Sequence, residues 1–394
     1  MSHKIITDTE TLNTWCENHR EVEWIALDTE FISENYYEPL LCLIQVASPR
    51  GDFLIDPILL GDTTPFWEVL VTGEHETIVH AGQSEMEFCF RYTKNLPRKL
   101  FDVQTAAGLA GYEYPAGFTN LLFRVLGRTI PGTESRTNWK ARPLSPRQLD
   151  YALDDVIHLR EMRDALFARL IEQGRRSWLT EEMETLREHH RQHFAVERWR
   201  RVLRNTALEP HGMAILRELW YWREEAAKKL NTLPRRLLRD DLMLEIAKRK
   251  LGDAKSLRDI RGMERELTRR AVPEIAKHVS LALTLAKEEC PKSRQTNALS
   301  RLTVAGQLLY TALGSICKSR HLSINLMGTP MDVKEWIAWR LGFSGCEAPP
   351  LMARGWRAEV VGKIFDDLLS GRTLLRIGDP RKECPIEFVP QAEP

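Results

Sequence analysis

The sequence predicts an α/β domain, a mixed sheet flanked by helices, followed by two all-α helical domains. Three observations carry this. Apolar runs of strand length alternate with helical patterns through about residue 175, and from about residue 210 every apolar pattern has helical spacing. The run Trp24 to Phe31, WIALDTEF, then ends in two acids, Asp28 and Glu30, one residue apart. On a strand such a pair projects to one face while Thr29 turns away, so both acids can share one cation. Paired like charges at a half-buried strand end repel unless something positive lies between them.

At 394 residues the chain exceeds one ordinary core, and its 43% hydrophobic and 28% charged residues are those of an ordinary globular protein. No run approaches the ~18 apolar residues of a spanning helix, and the N-terminus has no basic stretch followed by an apolar one. These features predict a cytoplasmic protein with no membrane partner. Cys16, Cys42, Cys89, Cys290, Cys317, Cys346 and Cys384 are scattered and form no C-x-x-C pair, which argues against a disulfide framework or a zinc site. His189 and His193 stand one helical turn apart but outside any zinc-binding arrangement, and a solvated helix face explains them. No P-loop or dinucleotide fingerprint occurs, so no nucleotide cofactor is expected. The net charge of +1 hides a gradient: residues 1–90 carry 3 basic and 17 acidic side chains, residues 186–270 carry 22 and 13. A basic middle suits nucleic acid, because cations gain affinity by releasing counterions from phosphates.

In order along the chain, a helix over 8–18 precedes the Trp24 strand. Strands over 40–47 and 52–55 follow, and their short turns predict an antiparallel meander. A brief strand over 77–80 opens at Ala81-Gly82 into a helix over about 84–92, and 100–104 reads as a further strand. Helical crossings between these strands predict parallel pairing. A helix over 117–126 has a threonine cap, and a long helix starts at Ser145 with Pro146 in its first turn and runs past Leu166. On it Tyr151 and Asp155, four residues apart, share a face. A charged helical arm over 180–204 leads to helices over 211–230, 234–250, 255–260 and 264–286. A second helical unit over about 298–375 ends in a proline-rich tail.

Asp28, Glu30, Glu85 and Asp155 are the candidates for one site. Their hard oxygens suit two divalent ions, Mg²⁺ or Mn²⁺, which could stabilise the attacking and leaving oxygens of a phosphodiester displacement. Tyr151, beside Asp155, can aim the attacking water; a phenol of ordinary pKa near 10 is a poor base.

WIALDTEF, IVHAGQSEMEF and TNWKARPLSPRQLDYALDDVIHL resemble the three exonuclease motifs of the ribonuclease D family, in the DEDD group with the tyrosine variant of the third motif. The helical stretch from His211 to about Leu285 resembles an HRDC domain, and LMARGWRAEVVGKIFDDLLSGRTLLRIGDP resembles the second helical domain that closes bacterial members. The resemblance covers nearly the whole chain. It implies an RNase H-like exonuclease domain over 1–175, a helical linker over 176–209, an HRDC domain over 210–290, a second HRDC-like domain over 295–378 and a tail over 379–394. It further implies that Asp28, Glu30 and Asp155 hold metals and that Tyr151 orients the water. The activity implied is 3′-to-5′ hydrolysis of RNA to nucleoside 5′-monophosphates, with maturation of tRNA 3′ ends as the family's usual task.

Two departures stand out. Glu85 occupies the second motif where the family has Asp, one methylene longer; Glu87 faces about 200° away on the same helix and is no substitute. Asn138 stands where relatives often carry Asp. For substrate grip, Phe31, His80, Gln83, Trp139, Lys140 and Arg142 offer aromatic faces, polar groups and cations for the bases and phosphates of an RNA 3′ end, whether of tRNA precursors or other structured RNA. The residues alone leave two other readings: a DNA exonuclease of the same fold, and a catalytically weak nucleic-acid-binding scaffold, for which Glu85 is the support.

Overall fold

The computed structural model describes residues 4–131, 134, 137–195, 198–203, 206–291, 299, 301–343 and 348–391. Cys346, the side chain of His193 and the expected break over 292–294 lie outside the described residues. The described chain opens with β1 (Ile5–Ile6), α1 (Thr9–His19), β2 (Trp24–Ile32), β3 (Leu40–Ser48) and β4 (Gly51–Ile55). It continues through α2 (Pro57–Leu60), α3 (Thr64–Thr72), β5 (Glu76–Val79), α4 (Gln83–Thr93), β6 (Lys99–Asp102), α5 (Val103–Leu109) and α6 (Phe118–Leu126). The sheet order is β1-β4-β3-β2-β5-β6. β3 and β4 pair antiparallel through a tight turn, as their short connection requires. β2, β5 and β6 run parallel, with Ala26 opposite Ile78 and Val79 opposite Asp102, because α4 provides the crossover between β5 and β6.

Several expected boundaries move. The strand expected over 100–104 ends at Asp102, whose carboxylate accepts from the amides of Gln104 and Thr105 and so starts α5. Gly117, not a threonine, caps α6. The long helix from Ser145 is two helices, α7 (Pro146–Ile157) and α8 (Leu159–Glu172), divided at His158, whose φ −94° and ψ −12° lie at the edge of the right-handed helical region. Its start is as expected: Ser145 and Gln148 form a reciprocal capping box, with Pro146 in the first turn. α2 and α3 had no counterpart in the sequence reading.

α9 (Arg176–Ala195) is followed by a 3₁₀ turn (Arg198–Leu203), α10 (Pro210–Lys229), α11 (Pro234–Leu237), α12 (Asp240–Arg249), α13 (Ala254–Arg258) and α14 (Glu266–Leu283). Then come α15 (Thr303–Ser319), α16 (Ile324–Met327), α17 (Pro330–Arg340), a 3₁₀ turn (Leu351–Ala353) and α18 (Gly355–Leu369). The chain closes on a hairpin, β7 (Thr373–Ile377) and β8 (Ile386–Pro390), where a proline-rich tail was expected. The Arg376 and Glu387 side chains pair across it.

The chain packs as two compact units. One is Met1–Glu30, Leu41–Gln192 and Ala298–Pro394; the other is Phe31–Leu40 and His193–Asn297. Within the first, the final helices share one apolar core with the α/β layers: Ala26, Ile78, Val156 and Leu166 belong to the same buried cluster as Leu313, Trp336, Trp356 and Phe365. Arg357 donates from both terminal nitrogens to the Glu182 carboxylate at 2.7 and 2.9 Å, and Trp356 Nε1 donates to the same carboxylate. Within the second unit, Trp199, Leu219, Leu242, Ile246, Leu257 and Ile275 form a separate core. The segment Phe31–Leu40 is tied to its helices: Tyr37 donates through its amide to Asn231 and through its hydroxyl to Glu224.

Candidate active site

β2 delivers Asp28 and Glu30 from a strand whose preceding residues, Ile25, Ala26 and Leu27, are fully buried. The carboxyls therefore stand where the apolar core ends. β5 runs beside it and ends at Val79. The chain then turns through Ala81, at φ +53°, and Gly82, whose absent Cβ would collide with the Val79 side chain, before entering α4. Asp102 fixes this entry, because its Oδ2 accepts from the Gly82 amide at 3.0 Å while its Oδ1 caps α5. Glu85 thus lies in the first turn of α4, buried, where the helix dipole favours an acid.

Thr29 does not simply turn away from the acids, as strand alternation suggested. Its hydroxyl donates to Glu85 Oε1 at 2.6 Å. Glu85 also acts electrostatically on the Asp28 carboxyl, which it helps to raise. On α7, Tyr151 stands one turn before Asp155, close enough for the phenol and the carboxyl to act on each other electrostatically. Asp28, Tyr151 and Asp155 line one cavity of about 270 Å³, completed by His80, Phe118 and Leu159.

All four acids are raised, in each case by burial first. Burial, then Glu85, drives the Asp28 carboxyl well above the usual carboxylate range. Burial, then Asp28, Asp155 and Glu85, pushes Glu30 up to about 9. Burial raises Glu85 to about 7, and burial with Asp28 raises Asp155 to about 7. The Tyr151 phenol is raised by burial and then by Asp155, Glu30 and Asp28, so it stays protonated and acts as a donor. Four carboxyls raised by burial, and in part by neighbouring acids, fit a cationic occupant, and hard oxygen donors fit Mg²⁺ or Mn²⁺. Among the described residues, no three acidic, histidine or cysteine side chains are already closed into a ligand set.

The residues expected to grip substrate divide. His80 lines the cavity; its Nε2 meets the Ala116 carbonyl oxygen at 2.9 Å and its ring stands edge-on to Phe118. Gln83 and Lys140 are exposed, and Phe31 is half-buried in the second unit. Arg142 is corrected: its guanidinium is bound bidentately to the buried Asp56 and to the carbonyls of Cys42, Trp139 and Ala141, so it is a structural cation. Trp139 is corrected too. At 2% exposure it cannot stack on a base, and its ring lies 6.2 Å from that of Tyr151. Asn138 has a turn role, accepting from the Lys140 amide at 3.2 Å. Phe118, Leu159 and Asp102 were missed. The N-cap spacing after Asp102 was a usable signal for it; the cavity positions of Phe118 and Leu159 depend on tertiary packing alone.

A family model described as a 3′-5′ exonuclease matches residues 3–171, and an HRDC-domain model matches residues 213–279. The chain is similar to ribonuclease D of Sphingobium indicum, with 31% identity over 392 residues, covering 96% of this chain and 97% of that one. Ribonuclease D of Pseudomonas paraeruginosa is 32% identical over 370 residues, covering 91% and 95%. The chain belongs to the ribonuclease D family. The crystal structure of Escherichia coli RNase D, an exoribonuclease involved in structured RNA processing, is similar throughout, with a TM-score of 0.82, 25% identity, and coverage of 94% of this chain and 99% of that one. As a ribonuclease D family member, the chain is a 3′-to-5′ exoribonuclease, a hydrolase acting on RNA. The exonuclease fold of this family is metal-dependent.

Proposed function

We propose that this exoribonuclease hydrolyses RNA at a site in which Asp28, Glu30, Glu85 and Asp155 hold two divalent ions, Mg²⁺ or Mn²⁺, and releases nucleoside 5′-monophosphates. The observation that carries the reading is four buried or half-buried carboxyls, all held above the ordinary carboxylate range, chiefly by burial and in part by neighbouring acids, a cost that a multivalent cation relieves. When bound, such ions supply Lewis-acid stabilisation of the attacking and leaving oxygens. Tyr151 orients rather than deprotonates the attacking water, because its phenol is held protonated by burial and by three acids. His80, Phe118 and Leu159 wall the space beside Asp28 and Tyr151, where a terminal nucleotide would sit.

The domains follow from the same reading: exonuclease over 1–175, linker over 176–209, HRDC over 210–290, a second HRDC-like domain over 295–378 and a tail over 379–394. The basic helices of 186–270 bring structured RNA to the acidic site, and 3′-extended tRNA precursors are the substrate we assign. Among the described residues no helix is long and apolar enough to cross a membrane, and we place the enzyme in the cytoplasm.

The test is a time course on a 3′-extended tRNA precursor with Mg²⁺, with Mn²⁺ or with neither, resolving product lengths. Asp28→Asn and Asp155→Asn are expected to abolish shortening while RNA binding and thermal unfolding stay close to wild type. Wild-type turnover in either variant, or shortening without added metal after chelation, overturns the mechanism.

A further inference from the structure

Glu85 has one more rotatable bond than an aspartate at the same position, so its carboxylate has more places to go. A single hydroxyl restricts it. Thr29 Oγ1 donates to Glu85 Oε1 at 2.6 Å, and the two residues are only 6% and 3% exposed. Buried in this way, the contact is shielded from competing water. Thr29 lies between Asp28 and Glu30 on β2, so the strand that carries two of the acids also holds the third by its side chain. From the other side, the backbone entry of α4 is fixed by the bond from the Gly82 amide to Asp102. Backbone and side chain of Glu85 are therefore each held by one named contact.

We propose that Thr29 is a positioning residue that sets the rotamer of Glu85, taking Oε1 so that the rest of the carboxylate faces Asp28. This rests on the reading of Glu85 as a metal ligand. A shorter aspartate at position 85 would withdraw its oxygens by a methylene and lose the Thr29 hydroxyl, so the two positions form a matched pair. Thr29 acts through Glu85, which accepts its hydroxyl hydrogen bond.

The test is a double-mutant cycle in the full chain, with Mn²⁺ binding measured by calorimetry and turnover measured on 3′-labelled RNA. Thr29→Val is expected to weaken Mn²⁺ binding and lower kcat by about tenfold each, the scale of losing a hydrogen bond to a charged group, with KM for RNA little changed. Thr29→Ser, which keeps the hydroxyl, is expected to restore both. In the Glu85→Asp background, Thr29→Val is expected to cost less than about twofold, since sites that no longer touch do not couple. Thr29→Ala runs through the same cycle, so that a packing defect of valine cannot mimic the result. Equal losses in both backgrounds, no loss in either, or failure of serine to restore binding overturns the proposal. Glu85→Gln separates the two levels. If it binds Mn²⁺ as wild type does, the ligand reading falls and this proposal with it; if it loses Mn²⁺ while Thr29→Val does not, only the role of Thr29 falls.

Discussion

Arg142 reads, in a stretch matching the third exonuclease motif, as a phosphate-binding cation. In the fold its partner is Asp56, 86 residues away, which no local pattern announces. Its removal strands a buried carboxylate, which costs about 3–5 kcal/mol for a pair of this kind. Arg142→Ala is therefore expected to lower the urea midpoint strongly while KM for RNA in the folded fraction stays near wild type; a raised KM with normal stability would restore the phosphate role. The acids behave differently. Glu30 at about 9, and Glu85 and Asp155 at about 7, lie above their unfolded values near 4. Groups raised by folding stabilise most below their unfolded pKa, and the contribution is lost as pH climbs through the folded one. The chelated enzyme is thus expected to lose melting temperature as pH rises from about 4, steeply up to about 7 and less steeply on to about 9, and Mg²⁺ to flatten that slope. A slope unchanged by Mg²⁺ would separate these acids from any cation. Asp28 and Glu30 at a strand end, and Tyr151 and Asp155 one helical turn apart, could be proposed from the sequence because local rules place such side chains on one face. Thr29 was misread, since side-chain alternation does not reveal that a neighbouring helix brings a carboxylate to it.

Elements were legible where caps and turns carry the signal. Ser145, Pro146 and Gln148 gave the start of α7, and the short turn after β3 gave its pairing with β4. The break at His158 has no such mark, being neither proline nor glycine, and it decides where Leu159 enters the cavity wall. α3 escaped because TPFWEVLVT buries Phe66, Trp67, Val69 and Leu70, a pattern too apolar to show one face. The cap of α7 can be weighed directly. Ser145→Ala is expected to cost about 1 kcal/mol in urea unfolding, with a smaller change in kcat, because Tyr151 and Asp155 lie beyond the first turn. A large loss of kcat at unchanged stability would show that the cap controls the tilt of α7 rather than its stability.

For the whole molecule, the sequence announced an α/β part and helical parts but not how they share cores. The helices after residue 298 complete the core of the α/β layers, and the Arg357–Glu182 pair, 5% and 4% exposed, lies between α18 and α9. Periodicity identifies the apolar face of a helix; the surface it covers belongs to three-dimensional packing. A chain ended at Asn297 is expected to lose cooperative unfolding of its α/β part and to bind an apolar dye, with Arg357→Ala as a milder form at about 3–5 kcal/mol. An independently cooperative α/β part in the shortened chain would show that the shared cluster is dispensable.

That shared core also bears on when the enzyme becomes dangerous to its maker. Translation produces the acids near the start of the chain long before Trp336, Trp356 and Phe365, which complete the cluster containing Ala26 and Ile78. A nascent chain still attached to the ribosome lacks the helices that complete this cluster, so full ribonuclease activity is expected only once they have emerged. The shortened chain ended at Asn297 mimics that stage, and full ribonuclease activity from it would refute such timing.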